Sequence, residues 1–199
     1  MSILLLAGSP SAPSRSTRLL QYVGEKLALL GHHLHRIDIH DLPAAALIRA
    51  DFNDSEIQAA LSKVKQASAV VIATPVYKAA YCGVLKTFLD LLPQFGLTDK
   101  LVLPLATGGS QSHMLALDYA LRPVLSSMNP KHVLPSIYAT DAQVIWTEQD
   151  GLTLDPMIVA RVNEGVDQLS YGLHALQRGG SSGSFDFDDI HFSKVMISN

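Results

Sequence analysis

Apolar residues fall into two kinds of run, and their alternation lays out the fold. Ile3-Leu4-Leu5-Leu6-Ala7, Ala69-Val70-Val71-Ile72-Ala73 and Leu101-Val102-Leu103-Pro104-Leu105-Ala106 are unbroken, the pattern of strands covered by helices on both faces. Between them, apolar positions recur at helical spacing. Leu19, Leu20, Val23, Leu27 and Leu30 predict a first helix that stops at Gly31. Asp54, with Glu56 close behind, predicts the cap of a second helix that runs to about Gln66. Residues 84–92 predict a third, and 158–176 the last. Met114, Leu115, Leu117, Leu121, Val124 and Leu125 predict a fourth helix between these two, kinked or disrupted at Pro123. Leu34 and Arg36-Ile37-Asp38-Ile39 give a short alternating second strand, and 132–138 a fifth. Segments 41–53, 74–83 and 139–155 read as loops, the first with a partial turn and the last carrying Trp146.

Strands alternating with helices predict an α/β chain with a parallel sheet between two helix layers. Five strands with an anion loop after the first match the flavodoxin-like three-layer fold, sheet order 2-1-3-4-5. In such a sheet the ligand sits at the carboxyl ends of the strands, at the switch point between strands one and three. Three loops meet there: Ser9 to Thr17, Thr74 to Gly83 and Thr107 to Ser110.

Composition narrows the class. The chain has 199 residues, 48% hydrophobic and 17% charged, enough for one well-buried domain and short for two. A net charge of −3 offers no basic field for nucleic acid and no acidic excess of a small electron shuttle. One cysteine, Cys82, forbids an intrachain disulfide. No charged start followed by an apolar segment appears, and no apolar run nears the ~20 residues of a membrane helix. A cytoplasmic protein without membrane partner is expected. The domain is expected over 1–178, followed by a Gly/Ser linker and tail over 179–199. In that tail, Phe185, Phe187 and Phe192 either belong to a loose terminus or dock on another subunit or partner.

The first loop carries the candidate chemistry. Ser9, Ser11, Ser14, Ser16, Thr17, Arg15 and the N–H groups of a helix start converge there, a set that suits a phosphate dianion and also an ordinary capped helix. The loop lacks the Lys-containing nucleotide loop and the three-glycine dinucleotide fingerprint. Its spacing resembles the phosphate loop of low-molecular-weight tyrosine phosphatases with Ser9 where their nucleophilic cysteine stands, so it is expected to hold phosphate without cleaving it. The second loop offers aromatic and backbone groups, and the Gly108-Gly109 pair lets backbone approach a flat ring. A flat ring carrying one phosphate is flavin mononucleotide. His33 and His35 share a strand face, but no acidic or thiol partner stands at ligand spacing, and no metal is assigned.

The segments AGSP…SRST, ATPVYKAAYCGVLKTFLDLLP and PLATGGSQSHMLALDYALRPVL resemble the NADPH-dependent FMN reductase family, in particular its alkanesulfonate-utilisation branch, over about residues 1–176. The resemblance implies hydride transfer from NADPH, with NADH as the alternative donor, to FMN, with no catalytic side chain, and supply of reduced FMN to a separate flavin-dependent monooxygenase. It implies Ser9, Ser14, Arg15, Ser16 and Thr17 at the phosphate, Pro75, Val76, Tyr77 and Lys78 beside the ring, and Thr107, Gly108, Gly109 and Ser110 near its pyrimidine side. It further implies a homodimer or homotetramer, with Tyr119 inserted as a π-bulge at a subunit interface. The chain departs from the pattern at Ser11, where the family usually has arginine, and Lys78 adds a cation beside the ring. A flavodoxin-like electron carrier and a quinone or azo reductase are the competing functions.

Overall fold

The computed structural model describes residues 1–179, and the expected linker and tail beyond Gly179 lie outside the described residues. In chain order the elements are β1 (Ser2–Ala7), α1 (Arg15–Leu29), β2 (His33–Asp38), α2 (Ala44–Arg49), α3 (Ser55–Gln66), β3 (Ala69–Tyr77), β4 (Ala80–Tyr81) and α4 (Gly83–Leu89). There follow β5 (Leu101–Gly108), α5 (Arg122–Ser127), β6 (His132–Val133), β7 (Ile137–Thr140), β8 (Val144–Thr147), β9 (Gly151–Leu154) and α6 (Pro156–Gly179). The main sheet runs β2-β1-β3-β5-β6, with β7 also pairing β5 and β4 pairing β3. Taking β6 and β7 as the two halves of the fifth strand, its parallel part has the flavodoxin-like order 2-1-3-4-5.

Parity explains the unbroken runs. Ile3 pairs in register with Ala69, and Ala69 with Leu101, so odd-numbered residues of all three strands share one face. That face, with Leu5, Val71 and Leu103, packs under Leu19, Val23 and Leu27 of α1 and Val162, Val166 and Leu169 of α6. The opposite face, with Leu4, Ile72 and Val102, packs under Ile57 and Val64 of α3 and Leu85 and Phe88 of α4. Each fully buried side chain of this size contributes about 1.5–3 kcal/mol relative to exposure.

The structure corrects the sequence expectations at four places. Segment 41–53 contains the short helix α2, ended by Ala50 in the left-handed conformation. Segment 74–83 is mostly not loop: β3 continues to Tyr77 and returns as β4. The fifth strand is split. Its β6 half pairs with β5 at Leu101 and Val102 and its β7 half from Leu105 onward, so the ladder breaks beside Pro104 and Pro135, neither of which has an N–H to donate. Segment 139–155 holds the antiparallel hairpin β8–β9.

The predicted fourth helix is present in an altered form. A 3-10 turn at Gln111–His113 is followed by a π-helical turn at Leu117–Leu121 and then α5, where Pro123 sits at the second position. The π turn surrounds Tyr119, where the family resemblance implies a bulge.

The tip of the β3–β4 hairpin stores strain. Tyr77 pairs with Ala80, so Lys78 and Ala79 form a two-residue turn, and both have positive φ, 50° and 62°. Turns of this kind favour Asn-Gly because left-handed backbone crowds a Cβ. The double variant Lys78→Asn/Ala79→Gly is therefore expected to stabilise the protein by about 1 kcal/mol, read as a higher urea midpoint at unchanged slope. An unchanged or lowered midpoint would show that Lys78 and Ala79 make compensating contacts.

Candidate functional site

The carboxyl ends of β1, β3, β5 and β7 open into a cleft of about 520 Å³. Its first wall is the loop after β1. Ser14 caps α1, its Oγ accepting from Thr17 N at 3.1 Å, and the same oxygen lies 3.1 Å from Ser16 Oγ and 2.7 Å from Thr17 Oγ1. This cap leaves the N–H groups of Arg15 and Ser16, at the first two helical positions, without intrahelical acceptors. Ser9 is fully buried. Its hydroxyl donates to Ser11 O at 3.0 Å and accepts from Ser11 N at 3.3 Å, tying the loop into a turn ahead of the cis peptide bond Ala12–Pro13.

The second wall is β3 from Pro75 to Tyr77. Thr74 secures it from beneath, accepting from Cys82 N at 3.0 Å. The third wall is Thr107-Gly108-Gly109, and the two glycines differ. A Cβ on Gly108 would lie 2.5 Å from Tyr138 Oη and 3.3 Å from Val76 Cβ, whereas one on Gly109 would meet nothing nearer than Asp141 Oδ2 at 3.9 Å. Tyr138 Oη itself donates to Ser110 O at 2.6 Å. Burial, and secondarily the Asp141 carboxylate, push its phenol above the usual tyrosine range, so it stays a neutral donor.

The fourth wall was not legible as a site. Val144, Ile145 and Trp146 of β8 and Asp141 before it line the cleft together with Ser11, Pro13 and Arg18. Val144 is buried in the core, while Ile145 and Trp146 remain 51% and 44% exposed. Two contacts join α1 to this wall. Arg15 Nη1 lies 3.5 Å from Asp141 Oδ2, both side chains about half exposed, and the Arg18 guanidinium stands 3.9 Å above the centre of the Trp146 ring.

Of the residues expected at the site, Ser14, Arg15, Pro75, Val76, Tyr77, Thr107, Gly108 and Gly109 line the cleft. Ser9, Ser16 and Thr17 are buried within the loop and helix start. Ser110 caps the following 3-10 turn, accepting from Ser112 N at 3.2 Å, and Lys78 sits at the hairpin tip outside the cleft lining. His33 and His35 pack ring against ring at 4.8 Å, and no cluster of three metal-ligating side chains occurs among the described residues. No described helix is long and apolar enough to cross a membrane.

A strand-to-helix hydroxyl loop and an open-faced glycine, facing each other at the switch point of a 2-1-3-4-5 sheet, point to a phosphorylated flat ring. The family model described as NADPH-dependent FMN reductase matches residues 1–144. The chain belongs to that family. The match contains the first three walls and stops at Val144, before most of the β8–β9 hairpin. Similar proteins include an FMN reductase (NADPH) of Escherichia coli K12, 46% identical over 145 residues that make up 73% of this chain and 76% of the relative. An NADH-dependent FMN reductase, SfnF, of Pseudomonas putida is 33% identical over 175 residues, 84% of this chain and 90% of the relative. Among solved structures, the apo form of an NADH:FMN oxidoreductase, EMOB, superposes with a TM-score of 0.78 at 37% identity, covering 86% of this chain and 89% of the other. As a member of the FMN reductase family, the protein is an oxidoreductase of flavodoxin-like fold that uses FMN and NAD(P)H.

Proposed function

We propose that this FMN reductase treats FMN as an exchangeable substrate gripped chiefly by its phosphate, and releases reduced FMN to a separate flavin-dependent monooxygenase, in sulfonate utilisation. The observation that carries the reading is the hydroxyl cradle around Ser14, Ser16 and Thr17 beside Arg15, opposite an apolar and glycine-backed slot in the same cleft. The donor set fits FMN: hydroxyls, two helix-start N–H groups and a guanidinium suit a dianion. Pro75, Val76 and Ile145 give apolar faces for a ring, and the open position above Gly109 leaves room for its edge. In this reading Ser9 holds the loop shape, Ser14, Arg15, Ser16 and Thr17 bind the phosphate, and Pro75, Val76 and Tyr77 exclude water from one side of the ring. Thr107, Gly108, Gly109 and Ser110 position its pyrimidine side, and Lys78 adds positive potential at the rim. The nicotinamide supplies hydride and the flavin accepts it, so the protein's part is orientation. Weak, phosphate-centred binding is what release to a second enzyme requires.

Steady-state NADPH oxidation is expected to rise with added free FMN and saturate. A rate independent of added FMN, with stoichiometric flavin retained by the protein, would instead mark a flavin-retaining carrier, or a quinone or azo reductase if such acceptors restore turnover.

The same proposal includes a homodimer or homotetramer that buries the surface around the π turn. Met114, Leu115 and Tyr119 are 40%, 47% and 78% exposed along one short stretch, more apolar surface than a lone helix leaves in water without use. Tyr119→Ala is expected to shift the sedimentation profile towards smaller species. An unchanged profile removes Tyr119 from the interface.

A further inference from the structure

We propose that Arg18 and Trp146 form a second subsite of the cleft, one that takes the adenosine 2′-phosphate end of NADPH and so favours it over NADH. The inference rests on the reading of the chain as a nicotinamide-dependent reductase, and concerns which nucleotide it selects. The chemical difference between the two nucleotides is one phosphate monoester on the adenosine ribose, and a cation outside the flavin phosphate loop is needed to sense it.

Arg15 and Arg18 both line the cleft. Arg15 adjoins the hydroxyl loop and already faces Asp141. Arg18 lies three residues on, on the same side of α1 and about 4.5 Å further along its axis, and it turns to the hairpin wall of the cleft rather than to Asp141. Among the described residues no carboxylate comes within ion-pair distance of Arg18. Its flat face is instead set on the indole at 3.9 Å. Stacking occupies the face of a guanidinium and leaves its in-plane N–H donors available, oriented in advance and matched to phosphate oxygens. Trp146 keeps 44% of its surface exposed under this cover, enough aromatic area for an adenine to pack against. The β8–β9 pairing holds it there, with Trp146 opposite Leu152 and Val144 anchored in the core. Trp146 lies just beyond the residues that the family model matches.

Trp146 is the single tryptophan of the chain, and its fluorescence reports on this place directly. Flavin-free protein titrated with 2′,5′-ADP and, separately, with 5′-ADP is expected to show a change in tryptophan emission. The affinity for 2′,5′-ADP should be at least about tenfold higher, the effect of one charge-assisted phosphate contact. Arg18→Ala should erase that preference, Arg18→Lys should keep part of it, and the NADPH-to-NADH ratio of kcat/KM should fall by about tenfold in Arg18→Ala. Arg18→Gln, which keeps most of the side-chain length, repeats the test should the alanine variant fold poorly. Equal affinity for the two nucleotides, or a preference that survives loss of Arg18, overturns the proposal. So does a variant that loses FMN more than riboflavin, because Arg18 would then serve the flavin phosphate. Failure of the reductase reading is seen separately, as absence of FMN-dependent oxidation of either nucleotide by the unaltered protein.

Discussion

Arg15→Ala weakens FMN binding by about tenfold or more and leaves riboflavin within about twofold: this is the expected result if the first loop grips the phosphate. A charge-assisted hydrogen bond contributes about 1.5–3 kcal/mol, and 1.4 kcal/mol is a factor of ten in affinity. The low end applies here, because the Arg15 side chain is 53% exposed and solvent screens it. The present partner of Arg15 offers little resistance to the exchange. Its pair with Asp141 spans 3.5 Å between two half-exposed groups, an arrangement worth at most about 1 kcal/mol, so a phosphate dianion can displace or share the carboxylate. Titration of each flavin by quenching of its own fluorescence gives both affinities in parallel. Equal loss for the two flavins would assign Arg15 to the ring or to the loop's shape instead of the phosphate.

The second large effect lies one wall away. Gly108→Ala is expected to destabilise the fold by about 2–3 kcal/mol, the upper range for overpacking, because the new Cβ would stand 2.5 Å from Tyr138 Oη. The hydroxyl cannot withdraw without giving up its 2.6 Å bond to Ser110 O, and Val76 Cβ closes the other side at 3.3 Å. Tyr138→Phe removes the clashing atom, so the double variant should recover much of the loss, with a coupling of about 1 kcal/mol or more in a double-mutant cycle. Gly109→Ala provides the contrast. Its Cβ would meet nothing nearer than 3.9 Å, so stability should hold while FMN affinity falls, since the added methyl occupies space assigned to the ring. Urea unfolding with parallel FMN titration separates the two glycines; strictly additive effects of Gly108→Ala and Tyr138→Phe would mean that the hydroxyl is not what makes glycine necessary there.

The two glycines also mark where sequence reading succeeds and where it stops. Gly108-Gly109 announced a close approach, but only the fold shows that Gly108 yields to Tyr138, thirty positions away, and that of the two Gly109 alone is left open. The buried strands were legible because an uncharged run such as 69–73 admits few alternatives, and the α1 start because a serine cap names its own acceptor. The extension of β3 was hidden by Pro75, which argues against a strand interior. It is tolerated because the ladder with β1 ends at Ala7 opposite Ala73, so no β1 residue pairs with Pro75, and β4 joins β3 only from Val76. The β8–β9 hairpin carried a signal in the β-branched and aromatic run Val144-Ile145-Trp146-Thr147 and in Asp150-Gly151, with Gly151 at positive φ. The run lacks the two-residue alternation of a half-buried strand, since only Val144 is buried on β8. Arg18 stands one helical turn past Arg15, a relation that helical phase alone would have found. What it stacks on depends on a hairpin more than 120 residues later, and no local pattern carries that.

The most direct test of exchangeable, phosphate-held FMN is an anaerobic incubation of catalytic protein with excess NADPH and a large excess of free FMN, followed by ultrafiltration. The expected result is reduced FMN in the protein-free filtrate in many-fold excess over the protein. Reduced flavin confined to the protein fraction at about one equivalent, with oxidised FMN in the filtrate, would contradict it.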